Sequence, residues 1–148
     1  EEDFYCAIAS SFMLSADNAH AVHPHHPQKT DATNCVYMNE GIVVKSHAGQ
    51  KYTSDAVSVA VFKDLCKKAN VPVQFFANRS DEAGGSTLGN IAMAQVSMNS
   101  VDIGLPQLAM HSTYETAGIK DTYYMIQVMT EFFNSHISEV NSHSLKVD

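Results

Sequence analysis

The amino-acid sequence predicts an α/β fold in which short buried strands alternate with amphipathic helices. Short apolar runs with the length of buried strands occupy residues 12–16, 41–46, 73–76 and 100–103. The segments between or after these runs show helical periodicity, with apolar residues three and four positions apart. Such alternation is typical of a sheet covered by helices, and 148 residues suffice for one domain of this kind.

The first elements are a short helix and a strand. Phe4, Ala7 and Ile8 fall at helical spacing, which predicts a helix that leads directly into the strand at 12–16. A loop is predicted from Pro24 to Asn39, because prolines, adjacent histidines and turn-forming Thr-Asp and Thr-Asn pairs follow one another there.

The middle of the chain predicts a strand, a helix and a second strand. Lys45 lies near the end of the strand at 41–46, and Ser54-Asp55 has the composition of a helix N-cap. The apolar stripe of the helix that follows consists of Val57, Val61, Leu65 and Ala69. Pro72 ends this helix before the strand at 73–76.

A polar loop at 78–85 precedes a third helix, which is predicted to start near Ser86-Thr87. One side of this helix carries Leu88, Ile91, Ala92 and Gln95. The strand at 100–103 is predicted to break at Gly104 and Pro106.

A short extended piece at 108–111 ends in His111, and the last helix is predicted over 115–134. The apolar stripe of that helix consists of Ile119, Tyr123, Ile126, Met129 and Phe133. The tail from Ser138 is polar and is predicted to be frayed.

Composition and charge argue against a nucleic-acid-binding protein and against a membrane-spanning one. The net charge of −7, with no basic cluster longer than Lys67-Lys68, argues against a nucleic-acid partner. No apolar run approaches the roughly 20 residues of a membrane span. Three cysteines without metal-type spacing favour free thiols in a reducing compartment, and hence a cytoplasmic location. Because the chain starts at Glu1 without an initiator Met, we expect it to be a piece of a longer protein.

The segment Ser15-Ala-Asp-Asn-Ala-His-Ala-Val-His-Pro24 is the first candidate site. It brings Asp17, His20 and His23 within seven residues directly after an apolar strand, a place where α/β enzymes often carry ligands. A turn is expected here, since Pro24 follows closely. The alternative is that Asp17 caps this turn and the histidines are solvated, and spacing alone leaves both interpretations open.

Other candidate residues are equally ambiguous by themselves. His111 ends an apolar segment and is either a ligand or a surface histidine. Lys45 and Tyr52 are either site residues or ordinary residues at a strand end. The loop Arg79 to Gly89 resembles an anion cradle or a tight turn that admits a ligand, but it lacks the lysine and spacing of a phosphate loop.

Taken together, three motifs resemble the aspartyl aminopeptidase family of dinuclear-zinc exopeptidases. They are the Ser15–Pro24 segment, Gly84-Gly-Ser-Thr-Leu-Gly89 and Asp102-Ile-Gly-Leu-Pro-Gln-Leu-Ala-Met-His-Ser112, in that order. The likeness extends from about residue 4 to residue 134. It implies a three-layer α/β/α zinc-peptidase sheet with flanking helices, present here as a partial domain.

The resemblance also implies roles for individual residues. Asp17 matches a carboxylate ligand of one of two zinc ions and borders the substrate, and His111 matches an imidazole ligand of the other. His20 matches a substrate-contacting histidine. Lys45 and Tyr52 match residues that hold the N-terminal residue of a peptide, and a lysine there suits an acidic Asp or Glu side chain.

The sequence departs from the family because several essential residues have no match. An earlier His ligand, a bridging Asp and a Glu-Glu pair with the general base are missing, and Glu1-Glu2 is not assigned to that pair. No catalytic residue is therefore assignable in this chain. Residues 1–148 are expected to be the C-terminal portion of a catalytic domain, without its N-terminal half or inserted oligomerisation domain.

We therefore expect a zinc aminopeptidase whose isolated fragment binds zinc weakly and is inactive, while the full-length protein is a homo-oligomer. One alternative is an inactive fragment that serves as a binding or oligomer-scaffold module. Another is a His-rich metal-storage loop at residues 20–26.

Overall fold

The computed structural model of the chain describes residues 1–141 and 144–148. Its helices are α1 (Glu2–Ala9), α2 (Ala56–Lys68), α3 (Leu88–Gln95) and α4 (Ile119–Asn134), with a short 3-10 helix at Pro27–Lys29. Its strands are β1 (Phe12–His20), β2 (Ile42–Ser46), β3 (Val73–Ala77), β4 (Asn99–Leu108), β5 (Thr116–Ala117), β6 (Ile137–Asn141) and β7 (Ser144–Val147). No helix in these described ranges is both long and apolar enough to cross a membrane.

The main sheet is mixed and has the strand order β1-β4-β2-β3, with β5 added beside the end of β4. Strands β1 and β4 are parallel and in register from Phe12 opposite Asn99 to His20 opposite Gln107. Strand β2 is antiparallel to β4 and parallel to β3. Strand β4 therefore pairs with β1, β2 and β5, and its pairing with β1 is the longest of the three.

Helices cover both faces of this sheet. One face packs against α2 and α4, and its core includes Ile42, Val44, Phe62, Leu65, Val101, Ile103 and Val128. Side chains of a strand alternate between faces, so Asp102 lies on the opposite face from Val101 and Ile103. Helix α3 packs on that opposite face, where the Gly89 N–H donates to Ser15 Oγ at 2.9 Å. The three-layer α/β/α prediction is confirmed.

Helix α2 begins as the sequence predicts. Asp55 is its N-cap and accepts a hydrogen bond from the Ser58 N–H at 2.8 Å, while Ser58 Oγ accepts one from the Asp55 N–H at 3.0 Å. This reciprocal capping box satisfies two backbone donors that the first helical turn leaves free. The cap fixes the start of the helix immediately after the loop that carries Tyr52.

Two strands are longer than predicted. Strand β1 continues through Asp17 to His20, so the expected turn after residue 16 is wrong. Strand β4 runs unbroken through Gly104 and Pro106 because β1 pairs with it along its whole length. Pro106 lies between the residues of β4 that pair with β2 and those that pair with β5, where a missing N–H is tolerated.

The predicted apolar stripe of α4 faces outward, and the helix begins at 119 rather than 115. Most of the stripe is exposed, namely Ile119, Tyr123, Ile126 and Phe133. Val128 and the half-buried Tyr124, Met125 and Phe132 face the core instead. The buried Asp121 carboxylate sets this orientation, since it accepts hydrogen bonds from the N–H groups of Asn39 (2.5 Å) and Gly41 (3.0 Å).

Helix α3 shows the same departure, because Leu88 and Ile91 of its predicted apolar side are exposed. Gly89 faces the sheet in their place, and an added Cβ there would lie 2.9 Å from Asp102 Oδ2. A helix that approaches a polar sheet face through a glycine leaves its large apolar residues on the outside.

The prediction of fraying from Ser138 is wrong for the described part of the tail, where 137–141 and 144–147 are strands, while residues 142 and 143 lie outside the described residues. Strands β6 and β7 pair as an antiparallel hairpin. Leu145 and Val147 pack against the main core, and Lys68 Nζ donates to the Val147 carbonyl at 2.8 Å. The β6–β7 hairpin therefore packs beside α2 and covers part of the core.

Candidate functional site

A cavity of about 370 Å³ lies on the α3 side of the sheet. All five residues that the sequence singled out for metal or substrate line it: Asp17, His20, Lys45, Tyr52 and His111. They come from β1, β2, the loop before α2 and the turn after β4. The fold thus brings together residues that are up to 94 positions apart in the chain, from Asp17 to His111.

Asp17 presents its carboxylate to the cavity from β1. Its Oδ1 accepts a hydrogen bond from the Asn18 N–H at 2.7 Å, and its side chain is 49% exposed. Gly104 of β4 is the residue opposite, and a Cβ there would lie 2.2 Å from the Asp17 carbonyl oxygen. A glycine at this place therefore permits the close approach that positions Asp17.

Lys45 is a buried cation, with only 2% of its side chain exposed. Its Nζ donates to the Asn18 carbonyl at 3.3 Å, lies 3.7 Å from Asp17 Oδ2 and is 5.2 Å from the centre of the Tyr52 ring. Burial lowers the pKa of Lys45, and the negative charges of Asp17 and Asp102 oppose that shift. The ammonium group has oxygen neighbours on one side and an aromatic face on another.

Tyr52 is half-buried beside Lys45. Burial raises the pKa of its phenol, and the charges of Asp102 and Asp17 act in the same direction. The ring therefore stays neutral at physiological pH. His47 packs edge-on against it, with ring centres 6.0 Å apart and planes at 79°.

His20 and His111 both line the cavity. Loss of hydration against the cavity wall lowers the pKa of His20, and His111 and Lys45 add to this effect while Asp17 opposes it. A neutral imidazole is the form that accepts a hydrogen bond or binds a metal.

The turn after β4 holds His111 in an unusual backbone conformation. His111 has φ of 69° and Ala109 has φ of 57°, a left-handed region that side chains other than glycine rarely adopt. The His111 N–H donates to Glu115 Oε1 at 2.5 Å, which helps to hold the turn. Residues held in this conformation can be part of a functional site, and His111 lines the cavity.

Asp102 connects several segments around the cavity, whereas the sequence identifies it only as part of a motif. Its side chain is fully buried and accepts hydrogen bonds from Ser15 Oγ (2.5 Å), Thr53 N–H (2.6 Å) and Thr87 Oγ1 (2.6 Å). These bonds connect β4 to β1, to the loop carrying Tyr52 and to the start of α3. The signal was an Asp between Val101 and Ile103, since a carboxylate in a buried strand needs several donors.

The donor set fits part of a zinc site. Carboxylate oxygen and imidazole nitrogen are the ligands zinc takes, and Asp17 and His111 supply one of each to the same cavity. In the part of the chain that the structure describes, no group of three or more His, Cys, Asp or Glu side chains is placed to hold a metal ion. The described residues therefore provide some but not all of a ligand set.

The arrangement agrees with a comparison of the sequence against known families. The sequence model described as "Aminopeptidase I zinc metalloprotease (M18)" matches residues 1–133. The chain belongs to the M18 family. The resemblance to aspartyl aminopeptidases is thereby confirmed at the level of the family.

Similar M18 proteins include curated and structurally characterised members. The "Probable M18 family aminopeptidase 2" of Clostridium novyi is 53% identical over 133 residues, which are 90% of this chain and 31% of that protein. A structure described as the Ape4 and Nbr1 complex contains a chain with 37% identity and a TM-score of 0.86, over 88% of this chain and 25% of that one. The mApe1 dodecamer of S. cerevesiae is 26% identical with a TM-score of 0.79, over 89% and 28%.

The chain spans about a third of the length of the curated M18 relatives that it matches. The M18 family match ends at residue 133, within the last turn of α4, so the β6–β7 hairpin lies outside it.

Proposed function

We propose that this chain is part of a zinc aminopeptidase that removes N-terminal residues, preferentially Asp or Glu, from peptides. The observation that supports the proposal most strongly is the convergence of Asp17, His20, Lys45, Tyr52 and His111 on one cavity. Membership of the M18 family supplies the reaction class, and the buried lysine supplies a reason for the acidic preference.

Asp17 and His111 would each hold one of two zinc ions. Zinc, when bound, supplies an activated water and polarises the peptide carbonyl. His20 and Tyr52 would position the substrate from the cavity wall. Neither Glu1 nor Glu2 lines the cavity, so we propose that the general base and the other ligands come from outside residues 1–148. On this proposal the chain is the C-terminal portion of the catalytic domain.

Lys45 would recognise the acidic side chain. Its ammonium is almost fully buried and has one carbonyl and one loose carboxylate contact, which leaves donor capacity for a ligand. A carboxylate that enters the cavity would form a charge-assisted hydrogen bond with it. A neutral side chain of the same shape would leave the buried cation without this partner.

We also propose that the complete protein is a cytoplasmic homo-oligomer. One structural neighbour, mApe1, is described as a dodecamer, and the outer face of α4 offers an apolar stripe to a partner. The three free cysteines are compatible with a reducing compartment.

Hydrolysis of aspartyl- and glutamyl-anilides tests the proposal, with the full-length gene product and the 148-residue chain assayed side by side with added zinc. We expect turnover by the full-length protein only. Asp17→Ala and His111→Ala should each reduce it at least about a hundredfold, as loss of a metal ligand does. Asp64→Ala and His25→Ala, outside the cavity, are the matched controls and should retain activity.

Three results would contradict the proposal. Turnover by the isolated chain that Asp17→Ala abolishes would show that the site is complete within residues 1–148. Full activity of the full-length Asp17→Ala and His111→Ala variants would show that these residues hold no essential metal. An inactive full-length protein would favour the binding or scaffold alternative.

A further inference from the structure

The loop between β2 and α2 carries Tyr52, and its conformation depends on a residue that does not line the cavity. His47 follows β2 directly and is half-buried behind the Tyr52 ring. Its Nδ1 accepts a hydrogen bond from the Gly49 N–H at 2.9 Å, which closes a tight turn. In the neutral ring the proton is then on Nε2.

The other edge of the His47 ring packs against the glycine-rich loop. A Cβ added at Gly84 would lie 2.8 Å from His47 Nε2 and 2.9 Å from Cδ2, so only glycine leaves room for the imidazole. Lys51 Nζ donates to the Gly84 carbonyl at 2.7 Å, and Asn90 donates to the Lys51 carbonyl. These hydrogen bonds join the segment that follows His47 to the Gly84 loop and to α3.

The contacts form a continuous series from Gly84 through His47 and Tyr52 to Lys45. His47 meets Tyr52 edge-on at 6.0 Å, and the Tyr52 ring faces the Lys45 ammonium at 5.2 Å. An aromatic face attracts a cation but does not use its N–H donors as an oxygen would. A correctly placed ring therefore keeps water from the ammonium and leaves a donor free for a ligand.

We propose that His47 is a positioning residue, which holds the Tyr52 ring against the Lys45 ammonium and so sets the preference of the cavity for a negatively charged ligand. This inference rests on the proposed acidic specificity of the same cavity. Without the imidazole, the ring turns toward the vacated space and water reaches Lys45. Water then competes with the carboxylate of the ligand, whereas a neutral ligand loses little.

Three substitutions separate the two contacts of His47. His47→Ala removes both the turn hydrogen bond and the ring. His47→Asn keeps an acceptor for the Gly49 N–H, as an Asx turn does, but removes the ring. His47→Phe keeps a ring beside Tyr52 but removes the acceptor. His25→Ala, on the exposed histidine loop and outside the cavity lining, is the control for loss of an imidazole.

The experiment is an NMR titration with L-glutamate and with its neutral isostere L-glutamine. The 148-residue chain carries Ile126→Lys in every sample, because this substitution on the exposed face of α4 limits self-association. The readouts are the ratio of the two dissociation constants and the nuclear Overhauser contacts between the Tyr52 ring and the Lys45 side chain, assigned from a Tyr52→Phe spectrum. We expect glutamate to bind about tenfold more tightly when His47 is present. His47→Ala and His47→Asn should reduce this ratio at least about threefold and weaken the Tyr52–Lys45 contacts. His47→Phe should restore most of the ratio, and His25→Ala should change neither readout.

The proposal is overturned if His47→Ala gives the same ratio and the same Tyr52–Lys45 contacts as His25→Ala. It is also overturned if His47→Phe and His47→Ala are equally impaired, because the ring would then have no role. If the chain with His47 does not prefer glutamate, the acidic specificity itself is wrong. In that case the Tyr52–Lys45 contacts of the variants still decide whether His47 positions the ring.

Discussion

At the scale of single residues, the site depends on groups that are costly to bury and on glycines that make room for them. Lys45 is a cation with 2% exposure, and its pKa is lowered by burial. A lowered pKa means that the folded state disfavours the charged form, so the cost to stability is present at neutral pH and disappears as pH rises above the usual lysine pKa. Burial of this charge therefore opposes folding at neutral pH.

Lys45→Met is therefore expected to remove the cation from the cavity without lowering the stability of the fold. The free energy of unfolding at pH 7 should stay the same or rise by about 1 kcal/mol, since replacement of a buried ionic group by an apolar one of similar shape is often neutral or stabilising. Urea denaturation measures this, with Lys120→Met on the exposed surface as the control. A loss of stability larger than about 2 kcal/mol would show that Lys45 is a structural cation.

Gly104→Ala is expected to disturb Asp17 through the backbone. The new Cβ would lie 2.2 Å from the Asp17 carbonyl oxygen, so β1 and β4 must separate at that point. We expect a loss of about 3 kcal/mol in the free energy of unfolding. Gly85→Ala, where a Cβ meets nothing within 4 Å, is the control. Equal stability of the two variants would contradict the close approach of the strands.

At the scale of secondary-structure elements, the C-terminal hairpin is the part with no counterpart in the family match. Ile137, Leu145 and Val147 pack as half-buried residues against the core that α2 covers. The hairpin thus shields apolar surface of the domain from water.

Truncation after Ser135 is expected to lower the free energy of unfolding by about 3 kcal/mol, roughly 1 kcal/mol for each of these three apolar side chains. Urea denaturation followed by circular dichroism measures the change. Lys146→Ala, an exposed substitution within the hairpin, is the control and should have little effect. A truncated chain as stable as the complete one would show that the hairpin does not contribute to the core.

At the scale of the whole molecule, α4 carries four exposed apolar residues along one face, while other exposed apolar residues lie on α1 and α3. The outer stripe of α4 exposes 85% of Ile119, 61% of Tyr123, 59% of Ile126 and 77% of Phe133. Contiguous apolar surface on a helix is typical of an interaction surface. The stripe therefore gives a physical reason for association of the isolated chain.

We expect the 148-residue chain to self-associate at micromolar concentrations, and Ile126→Lys to reduce this association at least about tenfold. Sedimentation velocity over a range of concentrations measures it. Thr122→Lys, an exposed polar position on the same helix, is the control for added charge. A strictly monomeric chain at all concentrations would contradict the role of the stripe.

The sequence predicts more of the site than of the packing. The α/β alternation, the Asp55 cap and the five cavity residues are visible as local patterns or as family motifs, so they are predictable. The limits of β1 and β4 are not, because nine residues of parallel pairing override Gly104 and Pro106. The orientation of α4 is not predictable from the sequence either, since periodicity identifies an apolar stripe but not what covers it. The contacts of Asp102 and His47 join distant segments and need the structure to be seen.

Anomalous X-ray scattering at the zinc edge, from crystals of the full-length gene product, tests the central claim most directly. If the five cavity residues form part of an aminopeptidase site, two zinc peaks will lie in the cavity. Asp17 oxygen and His111 nitrogen will then be about 2.0–2.2 Å from them. Zinc bound elsewhere, or zinc in the cavity without either residue as a ligand, would contradict the account.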